Sequence, residues 1–151
     1  MKNFLYIIVI AALVGILGFL TLQYEIQIGP IILALTLLPL VGLVFAKRSL
    51  KSALPDLIFG AIDTGLLTIP ALWGGILFGV VGAIAGGVIG DALTDAIAGF
   101  FEGGIAKWLR DKGVETSRES VTSSLGKMAG CLLGSGFILT IALLFGIKPE
   151  F

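Results

Sequence analysis

Five long apolar stretches alternate with short polar or glycine- and proline-containing segments along the sequence. About 20 consecutive apolar residues in a helix are enough to cross the hydrocarbon core of a bilayer, which is about 30 Å thick. The stretches predict helices at about 4–22, 31–46, 56–73, 76–109 and 117–146. We therefore expect an all-α polytopic membrane protein whose five transmembrane helices form a single domain, 1–151.

Local signals indicate where some of these helices begin and end. The pair Gly74-Gly75 is the predicted turn between the third and fourth helices. A fourth helix from there to Arg110 would be about 50 Å long, so it would tilt strongly or break at Gly86-Gly87. Thr116 and Glu119 have the spacing of a capping box, which predicts that the fifth helix starts there. The first stretch is longer than the apolar core of a secretory signal and lacks a cleavage motif, so we expect a retained helix.

Composition agrees with a membrane protein and narrows its chemistry. Hydrophobic residues make up 57% of the 151 residues and charged residues 13%, whereas soluble domains carry about 25% charged residues. Ten basic and ten acidic residues balance, which gives no reason to expect nucleic acid as a partner. Histidine is absent and Cys131 is the only cysteine, so an internal disulfide and an imidazole or multi-cysteine metal site are excluded. Any chemistry must use mainly carboxylates, hydroxyls and backbone carbonyls.

The basic residues predict the orientation in the membrane. If five helices alternate in direction, all Lys and Arg residues except Lys148 lie on one side. The positive-inside rule places that side in the cytoplasm. We therefore expect a multi-pass protein of the cell membrane with its amino terminus inside and its carboxyl terminus outside. The basic residues on the inner side are Lys2, Lys47, Arg48, Lys51, Lys107, Arg110, Lys112, Arg118 and Lys127.

Acidic residues interrupt the apolar fourth stretch at helical spacing. Asp91, Asp95 and Glu102 are four and seven residues apart, so on a helix they lie within about 40° of each other. Asp63 lies within the third stretch. Ionisable groups in a bilayer are costly and usually functional. Small side chains share the acidic face, which would let an ion or another helix approach closely: Gly87, Thr94, Ala98, Gly99 and Ala106.

An oxygen-rich group of acids points to a divalent cation. Carboxylates bind Mg²⁺, Ca²⁺ and Mn²⁺, and also Fe²⁺ with less selectivity. Neighbouring carboxylates in a medium of low dielectric cannot all stay ionised, so a proton and a cation could exchange there. We expect metal ligation by Asp63, Asp91 and Asp95, with Glu102 attracting ions nearer the cytoplasmic end. This predicts a cation transporter or channel-like protein rather than an enzyme, with Mg²⁺, Mn²⁺ or Fe²⁺ as the bound species and no other cofactor.

Two other classes of function fit the same residues. Asp91, Asp95 or Glu102 could pair with Lys107 or Lys127, which would make the protein a structural or accessory membrane subunit. The Asp-x-x-x-Asp spacing of Asp91 and Asp95 would also suit a Mg²⁺-dependent enzyme that modifies lipids. Because five short helices do not easily enclose a polar pathway, a transporter of this size should be a homo-oligomer.

Two of the stretches resemble the vacuolar iron transporter family. In FGAIDTGLLTIPALWGG, Asp63 stands where the pathway aspartate of the family's first helix stands. Thr64 is an additional residue between this aspartate and the glycine that follows it in the family. The residues that match the family's pattern after the aspartate are Gly65, Leu66, Thr68, Pro70 and Ala71.

The fourth stretch is similar to the second helix of that family. Counting back from Gly103-Gly104 places the family's pathway acid next to Asp91. The fourth stretch has no methionine, which the family uses to contact a soft metal. The resemblance implies a protein with five helices that exchanges Fe²⁺ or Mn²⁺ for protons as a dimer.

Overall fold

The computed structural model describes residues 2–24, 27–113 and 119–147, without the side chains of residues 2, 3, 98–103, 105 and 106. Its helices are α1 (Lys2–Gln23), α2 (Ile28–Leu35), α3 (Leu37–Phe45), α4 (Leu54–Asp111) and α5 (Ser120–Leu144). No strand occurs in the described residues. Four of their stretches are long and apolar enough to cross a membrane: Phe4–Gln23, Ile28–Phe45, Leu54–Ile97 and Ser120–Leu144. The all-α fold class is confirmed, and the length and apolar character of the helices are compatible with an integral membrane protein.

The second predicted helix consists of two shorter helices, α2 and α3, that meet at Thr36. Pro39 has no N–H to donate to the carbonyl of Leu35, so one regular helical hydrogen bond is missing at this point. The N–H of Thr36 bonds the carbonyl of Leu33, three residues earlier, at 3.3 Å. This tighter turn joins the two helices within one apolar stretch.

The turn that was predicted at Gly74-Gly75 is at Gly79, about one helical turn later. Gly79 has φ 64° and ψ −149°, a conformation that only glycine adopts easily. We call residues 54–78 the first arm of α4 and residues 80–111 its second arm. The predicted turn was wrong because Gly74 and Gly75 remain helical in the first arm. The second arm also continues through Gly86-Gly87 without a break.

The two arms run antiparallel in close contact. Gly74 lies against Gly82, and Gly86 against the backbone of Pro70, so closely that a methyl group on either glycine would overlap its neighbour. A methyl group on Gly90 would lie 2.7 Å from Cγ of Pro70 and 3.2 Å from Cα of Leu67. Small residues thus allow the two backbones to approach and set their register.

Helix α5 lies at the centre of the bundle and contacts each of the other four helices. A methyl group on Gly130 or Gly134 would overlap the carbonyl oxygen of Leu57 or Ala61 in the first arm. On its other side, Gly136 lies against Leu33 of α2. Backbone contact through glycine therefore joins α5 to both neighbours.

A hydrogen bond also joins α4 to α5. The hydroxyl oxygens of Thr68 and Ser135 are 2.9 Å apart. The Thr68 hydroxyl lies 2.6 Å from the carbonyl oxygen of Thr64, to which it can donate. These groups satisfy each other's polar atoms inside an apolar interface.

The start of α5 differs from the prediction. The helix begins at Ser120 rather than near residue 117, and Glu119 occupies the N-cap position without a capping hydrogen bond from its side chain. The side chain of Glu119 forms an ion pair with Arg48. Thr116 lies outside the described residues, so the capping box of Thr116 and Glu119 stays a prediction.

A packed apolar core lies at this same end of the molecule. Its buried members come from α1, α3, the loop before α4, and α5: Ile10, Leu43, Ala53, Val121 and Leu125. The hydroxyl of Tyr6 donates to the carbonyl oxygen of Gly42 at 2.7 Å. The ends of α1, α3 and α5 are thereby held together.

We expect Gly134→Ala to destabilise the protein by about 1–3 kcal/mol, since the added methyl group would overlap the Ala61 carbonyl. The matched control is Gly18→Ala in α1, where nothing lies within 4 Å of the added group. This control should be neutral or stabilising by up to about 1 kcal/mol, because alanine favours helix. Unfolding of both variants in detergent, followed by circular dichroism, measures the difference. Equal stability of the two variants would contradict the packing described here.

Candidate metal centre

The α4 hairpin brings together three of the predicted site residues. Asp63 belongs to the first arm, and Asp91 and Asp95 belong to successive turns of the second arm. The contact between Leu67 and Gly90 sets a register in which residue 63 faces the turn from 91 to 95. One carboxylate oxygen from each acid lies within 4.8 Å of the other two.

This spacing is suited to a single cation. The centre of an equilateral triangle with sides of 4.8 Å is about 2.8 Å from each corner, close to the 2.3–2.6 Å of Ca²⁺–oxygen bonds. Small rotations of the carboxylates would also reach the shorter Mg²⁺ and Mn²⁺ distances, or water could complete the coordination. Three oxygens from carboxylates form a ligand set for a hard divalent cation.

Asp63 is the buried member of the group. Only 7% of its surface is exposed, and its Oδ1 atom is buried with no hydrogen-bond partner. A buried carboxylate oxygen without a partner is costly and rare in folded proteins. Two further carboxylates lie beside it, so these neighbours provide no opposite charge.

Asp91 and Asp95 are exposed. Between them, Thr94 is buried, and its hydroxyl donates to the backbone carbonyl of Asp91 at 3.1 Å. The group of three acids is therefore buried at Asp63 and open at Asp91 and Asp95. This opening lies in the apolar stretch Leu54–Ile97, where a single chain would present two acids to lipid.

No ion pair joins Asp63, Asp91 or Asp95 to a lysine or arginine among the described side chains. Lys127, a candidate counter-ion, instead places its Nζ 4.7 Å from the ring centroid of Phe59. Lys107 is exposed near the end of α4. Among the described side chains, the three acids therefore have no internal cation of the kind that a purely structural role would require.

The fourth predicted ligand, Glu102, has a helical backbone in the second arm, but its side chain lies outside the described part of the chain. The sequence predicted that Asp91 and Asp95 share a helical face and that Asp63 belongs to the same group of acids. What the sequence did not indicate is that Asp63 is buried while the other two acids are exposed, since this depends on how the arms pack.

Comparisons with protein-family models, curated proteins and solved structures find no match for this chain. The candidate site therefore rests on the chemistry and geometry of its own residues.

We expect Asp63→Asn to stabilise the purified protein in the presence of a chelator, by on the order of 1 kcal/mol or more. The substitution removes a buried charge from a group of like charges and keeps the shape of the side chain. Asp111→Asn, an exposed acid at the end of α4, is the control and should have little effect. Thermal unfolding at neutral pH measures both. A loss of stability in Asp63→Asn would mean that the carboxylate is already satisfied within the chain.

Proposed function

We propose that the protein is an integral membrane transporter or channel-like protein for a divalent cation, which binds at Asp63, Asp91 and Asp95. The observation that carries the proposal is the unpartnered buried oxygen of Asp63, in a group whose oxygens lie within 4.8 Å of each other. A bound cation would neutralise the group, and protons would replace it when it leaves. Cation movement would then be coupled to proton movement in the opposite direction.

The nature of the ligands favours a hard cation. The described site contains carboxylate oxygens and neither sulfur nor imidazole, so it is suited to Mg²⁺, Mn²⁺ or Ca²⁺, with Fe²⁺ less selectively held. The resemblance of the two arms to vacuolar iron transporters supports Mn²⁺ or Fe²⁺ within this range. We assign Glu102 the role of attracting cations at the inner end of the second arm.

The arrangement of the helices supports a topology with five spans and an inner amino terminus. Each arm of α4 is long enough to cross a bilayer by itself. The ion pair between Arg48 and Glu119 holds the loop before α4 beside the start of α5. Lys47 and Lys51 therefore lie at the same end of the bundle as the start of α5, and the positive-inside rule favours a cytoplasmic location for that end.

A second copy of the chain would complete the site. Asp91 and Asp95 are exposed in the single chain, and acids that face lipid are costly. A homo-oligomer that covers the outer surface of the second arm would remove them from lipid and provide the remaining wall of a pathway. The membrane itself and the transported cation are the other partners that this function requires.

Asp63→Asn and Asp91→Asn should each reduce uptake of Mn²⁺ into proteoliposomes by at least tenfold, because each removes a charged ligand. Asp111→Asn, outside the site, should transport like the unchanged protein. Uptake can be followed with a trapped metal-sensitive dye, with and without an imposed proton gradient. Undiminished uptake in both site variants would refute the proposal.

Two further measurements separate the other classes of function. Mn²⁺ or Mg²⁺ should raise the unfolding temperature of the unchanged protein but not of Asp63→Asn, whereas an accessory subunit with paired acids would not respond to either cation. Consumption of a nucleotide-activated lipid with Mg²⁺, together with absent transport, would indicate a lipid-modifying enzyme instead.

The oligomer can be tested with a single cysteine in a Cys131→Ser background. Val88 is exposed on the same face of the second arm as Asp95. We expect Val88→Cys to form a disulfide between two copies in lipid nanodiscs. Phe137→Cys, which is also exposed but lies on α5, is the control and should remain monomeric on a non-reducing gel. Cross-linking only at position 137 would place the interface elsewhere.

A further inference from the structure

The carboxyl-terminal end of α4 extends beyond the rest of the hairpin. The register of the two arms places the start of the first arm, at Leu54, beside about residue 103 of the second. The last two turns of α4 therefore project from the end of the bundle at which the loops before α4 and before α5 meet. We call the exposed side chains of this projection the α4 basic surface: Lys107, Trp108, Arg110 and Lys112.

A contact between a lysine and a tryptophan lies within this surface. Leu109 is buried, with only 4% of its surface exposed. Trp108 is 52% exposed, and Nζ of Lys112 lies 4.4 Å from the centroid of its ring. This cation–π contact holds one positive charge beside a half-exposed apolar ring.

Among the described side chains, this surface carries more positive than negative charge. No ion pair joins Lys107 or Arg110 to another described side chain, and Asp111 is the one acid among the residues from 107 to 112. Lys47 and Lys51 are exposed in the loop before α4, at the same end of the bundle. At the opposite end, the described residues 24, 27, 73–84 and 145–147 include no charged side chain. An anion would therefore be attracted to one end of the molecule.

We propose that the α4 basic surface binds the phosphate group of an anionic phospholipid. Tryptophan prefers the boundary between hydrocarbon and headgroups, and lysine and arginine near that boundary contact lipid phosphates. Trp108 supplies the apolar contact with the glycerol region of a lipid, which a free phosphate ion would not use. Lys107, Arg110 and Lys112 supply the positive charge. This binding does not depend on the cation site at Asp63.

Trp108 can report binding directly. The variant Trp73→Phe leaves Trp108 as the sole tryptophan of the chain. The full-length protein in a neutral detergent is titrated with bromine-labelled phosphatidylglycerol or bromine-labelled phosphatidylcholine, because bromine quenches a tryptophan that it contacts. We expect half-maximal quenching at a concentration of phosphatidylglycerol on the order of a hundredfold lower than that of phosphatidylcholine, since each of the three basic residues near a membrane surface favours anionic lipid by about fivefold.

Charge variants identify the residues responsible. Replacing Lys107, Arg110 and Lys112 together by glutamine should abolish the preference for phosphatidylglycerol. Lys127→Gln, which removes one positive charge on α5, should retain the preference. If the triple variant does not fold, Arg110→Gln alone should reduce the preference by on the order of fivefold.

Equal quenching by the two lipids would overturn the proposal. So would an unchanged lipid preference in the folded triple variant, or in Arg110→Gln if the triple variant does not fold. A loss of preference in Lys127→Gln as large as that in the triple variant would also overturn it. Displacement of phosphatidylglycerol by inorganic phosphate at millimolar concentration would also overturn it, by assigning the surface to a free anion. Transport assays are not part of this test, so its outcome is independent of the function proposed for the acids.

Discussion

The close contact between the two arms of α4 is the constraint on which the rest of the structure depends. Gly79 allows the chain to reverse direction, and Gly82 and Gly86 allow the second arm to touch the backbone of the first. At this separation, side chains on facing turns meet directly. Asp63 is therefore placed beside Asp91 and Asp95 by glycine packing and not by attraction between the acids, which repel one another when ionised.

Polar groups in this apolar bundle fall into two kinds. Thr68 and Ser135 bond each other across α4 and α5, and Thr68 also bonds a backbone carbonyl of its own helix. Their polar atoms are satisfied by the fold. The buried oxygen of Asp63 has no such partner. The hydroxyls of Thr36 and Thr122 are also buried without a partner. The proposal of ion binding therefore rests on the grouping of Asp63 with two further carboxylates, and not on the missing partner alone.

Charge is distributed unevenly along the bundle. The ion pair between Arg48 and Glu119 joins the loops at one end, and the exposed end of α4 adds Lys107 and Arg110 to the same region. The hairpin tip around Gly79 is apolar. A lipid-binding surface at the basic end and a cation site nearer the middle of α4 would thus lie at different positions along one helix. Substitutions in one would therefore leave the residues of the other in place.

The sequence by itself determined the fold class, the approximate extent of the apolar helices, and the shared helical face of Asp91 and Asp95. These properties depend on hydrophobicity and on the helical repeat, which are local. It did not determine the turn, because Gly74-Gly75 and Gly79 are equivalent as local signals and only contact with the opposite arm distinguishes them. Nor did it determine that Asp63 is buried without a partner, or that Lys127 lies over Phe59 rather than beside an acid. Those outcomes depend on how closely two backbones approach, and only the tertiary structure decided them.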